Sequence, residues 1–257
     1  MILILLLANS ANAQPFAFLN SIPTKAKSFE TDQLKNIYVL DSAGTVTKYS
    51  ENTDSIYFFN DRTYGSPLSM DATKPFKFIL FYRDQQFVKM LDKTMSEIGS
   101  INLLQLGFQY VNAVCSSADA NIWLYDEVNF KLKKLDDQLN LVRESEDLNQ
   151  IIGESIQPEF IIENEGVVYL NDPQKGIFVF DQYATYIKTI AIKNLSSFQL
   201  IDDQLIYFSE NKLHIFNLKT LITEDIDIPQ TENVLDTKLQ KDRLYILQKD
   251  QLSLYSF

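Results

Sequence analysis

The sequence predicts an all-β fold assembled from about six copies of one unit, and three observations predict it. An aliphatic-aromatic-aliphatic triplet with polar neighbours returns as NIYVLD at 36–41, FILFY at 78–82, NIWLYD at 121–126, VVYLN at 167–171, LIYFS at 205–209 and RLYIL at 243–247. Tyr38, Leu80, Trp123, Tyr169, Tyr207 and Tyr245 mark these copies at separations of 42, 43, 46, 38 and 38 residues, close to the span of about 40–50 residues that blade-type β-repeats occupy. Short apolar runs between the triplets alternate with polar turns such as Asp172-Pro173-Gln174-Lys175-Gly176, Asp202-Asp203 and Glu210-Asn211, which is the grammar of strands joined tightly.

Four antiparallel strands of about five residues are needed for each blade. A first blade fits residues 28–60 and a second 69–103, with the irregular stretch 60–75 leaving five or seven blades open. The third fits strands at 110–116, 122–125, 130–135 and 139–144, and the fourth at 159–163, 167–170, 177–181 and 186–192. The fifth follows at 198–201, 205–209, 213–217 and 222–228. Only three strands remain for the last blade, at 234–239, 243–248 and 252–257. A spare apolar segment, 16–19, precedes the first blade, and its pairing with 252–257 is expected to close the ring and hide the exposed edges.

Period and strand grammar together resemble six-bladed β-propellers of the broad NHL-like and periplasmic type over nearly the whole chain from residue 14 onward. The resemblance implies closure by exchanged terminal strands. Signatures of other propellers are missing: there is no Trp-Asp pair, Trp123 is the single tryptophan, and no Ser-x-Asp-x-Gly box occurs. A β-sandwich pair or a lipocalin-like barrel competes, but neither accounts as well for six repeats.

Residues 1–7 are apolar and lead to Ala11-Asn12-Ala13, an A-x-A cleavage pattern, so 1–13 is expected to be a signal peptide and 14–257 the propeller domain. Seven apolar residues are far fewer than the roughly 20 that span a bilayer. Acidic residues outnumber basic ones by 34 to 23, for a net charge of −11, which repels phosphate backbones and argues against nucleic acid as a partner. Cys115 is the one cysteine; it makes no internal disulfide, and alternation within 111–115 reads it as a buried structural thiol.

Catalytic patterns are sparse. His214 is the only histidine, which removes multi-histidine metal sites, and alternation reads it as a solvated strand residue. No G-x-S-x-G elbow, P-loop or G-x-G-x-x-G occurs. Asp136-Asp137, Asp202-Asp203 and Asp225 with Asp227 read as turn chemistry, since paired catalytic carboxylates must stand across a substrate. No cofactor is implied; calcium in a central channel is a minor expectation without an EF-hand pattern behind it. Loops joining the second and third strands of each blade should gather on one face, the expected binding face. Tyr64, Phe108, Tyr110, Tyr183 and Tyr186 are the candidate anchors for a partner. The expected function is that of an exported, non-catalytic scaffold engaging a protein of the bacterial envelope. Its alternative is a hydrolase or lyase acting on a glycan or lactone through channel carboxylates drawn from several blades.

Overall fold

A computed structural model describes residues 16–257; the expected signal peptide, 1–13, lies outside the described residues. After β1 (Ala17–Pro23) the chain forms β2 (Ala26–Thr31), β3 (Ile37–Asp41), β4 (Val46–Tyr49) and β5 (Ser55–Phe59), the first blade. The second is β6 (Ser69–Asp71), β7 (Phe78–Tyr82), β8 (Phe87–Leu91) and β9 (Glu97–Asn102). The third is β10 (Val111–Ser116), β11 (Ile122–Asp126), β12 (Lys131–Leu135) and β13 (Leu141–Glu144). A single-turn helix, α1 (Leu148–Ile152), leads to the fourth: β14 (Phe160–Asn164), β15 (Val167–Asp172), β16 (Gly176–Phe180) and β17 (Tyr186–Ile190). The fifth is β18 (Gln199–Ile201), β19 (Gln204–Ser209), β20 (Lys212–Asn217) and β21 (Thr223–Asp227). The sixth takes β22 (Val234–Gln240), β23 (Arg243–Gln248) and β24 (Gln251–Ser256), and its fourth strand is β1, in the order β1-β24-β23-β22.

Burial explains the recurring triplet. The second strand of a blade has a sheet packed on each of its faces, so both sets of alternating side chains must be apolar. All five residues of β7 and of β11 are buried accordingly, which gives continuous apolar runs in place of alternation. Outermost strands face water instead: β5, β13, β17 and β21 are largely exposed. Six apolar clusters hold the ring, one at each junction between neighbouring blades. At the junction of the sixth and first blades, Ile22 of β1 packs with Phe29, Val39, Tyr245, Leu247 and Leu252. The β1 ladder runs from Ala17 opposite Ser256 to Pro23 opposite Gln251, with a bulge between Phe18 and Asn20. It is longer than the 16–19 segment expected from the sequence.

One turn device recurs. Asp41 Oδ1 accepts from the backbone N–H of Ala43 and Thr45, Asp92 Oδ1 from Thr94 and Ser96, and Asp181 Oδ1 from Tyr183 and Thr185. The residue between the two donors turns left-handed: Gly44 (φ 82°), Met95 (φ 61°) and Ala184 (φ 68°). An aspartate that satisfies two turn donors lets non-glycine residues occupy this strained conformation, and it accounts for a chain with many hairpins and only seven glycines. Helix α1, absent from the all-β reading, is capped at both ends. Asp147 accepts from Asn149 and Gln150, Gly153 closes the helix at φ 81°, and Leu148 anchors it in the core.

Candidate functional site

The first strands of the six blades, β2, β6, β10, β14, β18 and β22, or the turns that follow them, wall a central cavity of about 700 Å³. Gln33, Leu34, Thr73, Lys74, Glu165, Asp202 and Lys241 border it, all from the turns between first and second strands. The cavity therefore reaches the face opposite the loops between second and third strands, which were the expected binding face. None of those loops lines it.

Carboxylates from several blades face or back this cavity. Glu163 of β14 reaches to the third blade, where its Oε2 accepts from Trp123 Nε1 at 2.6 Å and from Ser117 Oγ, and its Oε1 from the Ala118 amide at 2.9 Å. Asp71 of β6 reaches the same blade from the other side: its Oδ2 accepts from the Ser116 amide at 2.6 Å, while Oδ1 takes Thr73 N–H and Oγ–H. Asp32 accepts from the Leu34 and Asn36 amides, from Asn36 Nδ2 and from the Tyr38 hydroxyl. Glu30 differs, because its partner is a cation: Lys238 Nζ lies 3.0 Å from Glu30 Oε1 and 3.7 Å from Asp236 Oδ2, across the junction of first and sixth blades. Burial pushes the Glu30 carboxyl up to about 7, with Lys238 pulling against it, and burial raises Asp236 too. Burial alone lowers the Lys238 ammonium, but Glu30 and Asp236 outweigh it and the net shift is upward.

Amide side chains brace the ring in the same manner. Gln199 of β18 gives its Nε2–H to the Leu239 carbonyl and takes the Leu239 N–H, as a neighbouring strand would. Gln86 makes the equivalent pair of bonds to Val111. Burial pushes the Cys115 thiol well up, with Asp71 and Glu163 adding to it, which suits a structural thiol.

No family model matches the chain, and no curated protein matches it. Among solved structures, it is similar to virginiamycin B lyase from Staphylococcus aureus, with 10% identity over 94% of this chain and 99% of that one and a TM-score of 0.65. It is similar also to BamB from Moraxella catarrhalis (9% identity, 94% and 98% of the chains, TM-score 0.57) and to the Pan2 WD40 domain of Neurospora crassa (10% identity, 95% and 96%, TM-score 0.58). The fold is a six-bladed β-propeller. Identities this low carry the propeller fold and nothing finer.

The five aromatic anchors expected from the sequence are scattered over the propeller, and none lines the cavity. Tyr64 stacks on Phe87 with ring centroids 4.1 Å apart, beneath the Lys89 ammonium. Phe108 is buried in the cluster between second and third blades. Tyr186 is half-buried, edge-on to Phe180. Tyr110 and Tyr183 are exposed, the first just before β10 and the second in the β16–β17 turn, on opposite faces of the ring. His214 is not the solvated residue its alternation suggested. It stacks on Tyr207, its Nδ1 lies 2.8 Å from Asp225 Oδ1, and its Nε2 lies 3.1 Å from the Ser209 carbonyl oxygen. Its strand, β20, does not line the cavity. Among the described residues, no three His, Cys, Asp or Glu side chains converge as metal ligands, and no helix is long and apolar enough to cross a membrane. The cavity carboxylates were invisible to local spacing, because Glu163 meets Trp123 across 40 residues of sequence.

Proposed function

We propose that this propeller is an exported, non-catalytic scaffold that binds a protein of the bacterial cell envelope. One observation carries the reading: the buried carboxylates around the cavity are committed to the fold. Glu163 engages both oxygens with donors of the third blade, Asp71 engages one oxygen there and the other with Thr73 of its own turn, and Glu30 is paired with Lys238. A general acid or base must be free to exchange its proton with a substrate, whereas these groups hold neighbouring blades together. What remains is a rigid ring with an open concavity, the usual geometry of a binding site. The leader-like segment at 1–13 supports export. A similarity to BamB at 9% identity is compatible with this reading at the level of fold.

A second reading, a hydrolase or lyase, draws on carboxylates from four blades in the cavity wall and on the raised Glu30. Against it stands the histidine. A variant of the staphylococcal lyase with one histidine replaced by alanine is catalytically inactive, whereas the lone His214 here is away from the cavity.

The test is affinity capture from envelope extracts with the wild type, a Glu165→Lys/Asp202→Lys variant at the cavity mouth and a Glu224→Lys variant on the outer strand β21. A specific partner retained by the wild type and the β21 variant but lost by the mouth variant is the expected result. No specific partner, together with turnover of a lactone or glycan by the wild type that Glu30→Gln abolishes, would transfer the assignment to the enzyme.

A further inference from the structure

We propose that the central cavity is a site for an extended organic cation, one that carries several primary ammonium groups along a flexible chain. The inference rests on the reading of the cavity as a binding site and names the chemistry it would take. Seven carboxylates and two lysines line the cavity. The decisive point is what neutralises them. Asp32, Asp71 and Glu163 receive their hydrogen bonds from amide, hydroxyl and indole groups only. Such donors satisfy the oxygens without cancelling the charge. Among the described residues, Glu30 alone of the cavity carboxylates has a cation within 4 Å, Lys238, and Lys238 is shared with Asp236. A wall whose carboxylates outnumber its lysines seven to two, in a concave, low-dielectric setting, focuses a net negative potential on the enclosed space.

An independent feature marks the same wall. Thr31 lines the cavity, is more than nine-tenths buried, and its hydroxyl has no partner. A hydroxyl oxygen is an acceptor for N–H⁺. The volume, about 700 Å³, lies within the range of about 300–1,000 Å³ typical of small-molecule sites. A single dication is a poorer match, because among the described residues no three acidic side chains converge on one point. The negative groups are spread around the ring, which suits charges spread along a chain. Two sources present this chemistry, a free polyamine and a basic peptide segment.

The experiment is calorimetric titration of the intact protein with spermine, with pentalysine, and with citrate and calcium as controls, at low and at physiological salt. We expect one-to-one binding of spermine or pentalysine that weakens steeply with salt, and no comparable binding of citrate or calcium. Glu165→Gln/Asp202→Asn, at the mouth and outside the blade braces, should weaken it about tenfold. Glu224→Gln/Asp227→Asn removes the same charge from β21 and should leave affinity within about twofold, since exposed charges more than a Debye length away are screened. Spermine bound with pentalysine excluded assigns the free polyamine, and pentalysine bound more tightly assigns the peptide. Absence of binding by both at low salt, or equal weakening in the two variants, overturns the proposal. An envelope partner whose capture is indifferent to the mouth variant, with spermine lost, would sink the scaffold's use of the cavity and leave the cation site standing. Capture that depends on the mouth with no cation bound would do the reverse.

Discussion

Ala120 shows in one residue how this chain manages with few glycines. It turns left-handed at φ 67° between Ser117 and Asn121, is exposed, and has no packing role to offset the strain. An L-residue in this region costs roughly 1–2 kcal/mol, and glycine escapes that cost at the expense of some unfolded-state entropy. Ala120→Gly should therefore stabilise the protein by about 1 kcal/mol and raise its melting temperature by roughly 2–4 °C, as measured by thermal unfolding; a fall would show that the turn is not strained. Met95 and Ala184 adopt the same conformation but are buried, so their truncation to glycine would trade strain for a cavity. At this scale the sequence was legible for Cys115, which is buried as expected, although all six residues of β10 are buried and not alternate ones alone. It misled for His214, which is held by its cross-strand neighbours Tyr207 and Asp225, and those pairings depend on a register that no single strand reveals.

Strands were the most legible elements because their burial is repetitive. The expected third and fourth blades differ from β10–β13 and β14–β17 by a few residues at their ends. Helix α1 leaves no trace in the sequence, because five residues with one buried leucine carry no periodic signal. The element with most at stake is β1. It contributes Ile22 to the junction of the first and last blades and covers the edge of β24. Ile22→Ala should cost about 2–5 kcal/mol, as buried aliphatic truncations do. Removing residues 17–23 should cause a larger, cooperative loss, seen as a melting-temperature drop on the order of 10 °C or as insoluble protein. An unchanged melting temperature in the deletion would mean that the ring does not depend on β1.

Across the whole molecule, the Glu30, Asp236 and Lys238 cluster makes ring stability depend on pH. A carboxyl whose folded-state value is raised binds its proton more tightly in the folded than in the unfolded chain. The stability it contributes is thus complete below the ordinary value of 4.5 and is lost as pH rises toward about 7. Because 24% of the Glu30 side chain stays open to the cavity, about 7 is the upper end of that window. Denaturant unfolding at pH 5 and pH 8 should show the wild type losing more stability over the interval than Glu30→Gln; equal losses would exclude Glu30 as the source. The cavity itself was only half legible. Abundant acidic residues could be counted, but their convergence follows from the closed ring that brings distant blades together.

The joint between β1 and β24 also has a mechanical meaning. Ala17 and Ser256 are opposite one another at one end of that ladder, and the Phe16 and Phe257 rings meet edge-on there, 5.5 Å apart. Tension applied between residues 16 and 257 therefore falls on a single hydrogen-bonded rung, then on the next, and peels the two strands apart like a zipper. Tension applied between Ala17 and Gln251, at opposite ends of the same pair, would load every rung at once in shear. The clasp that closes the ring is thus weak in one direction of pull and strong in the other.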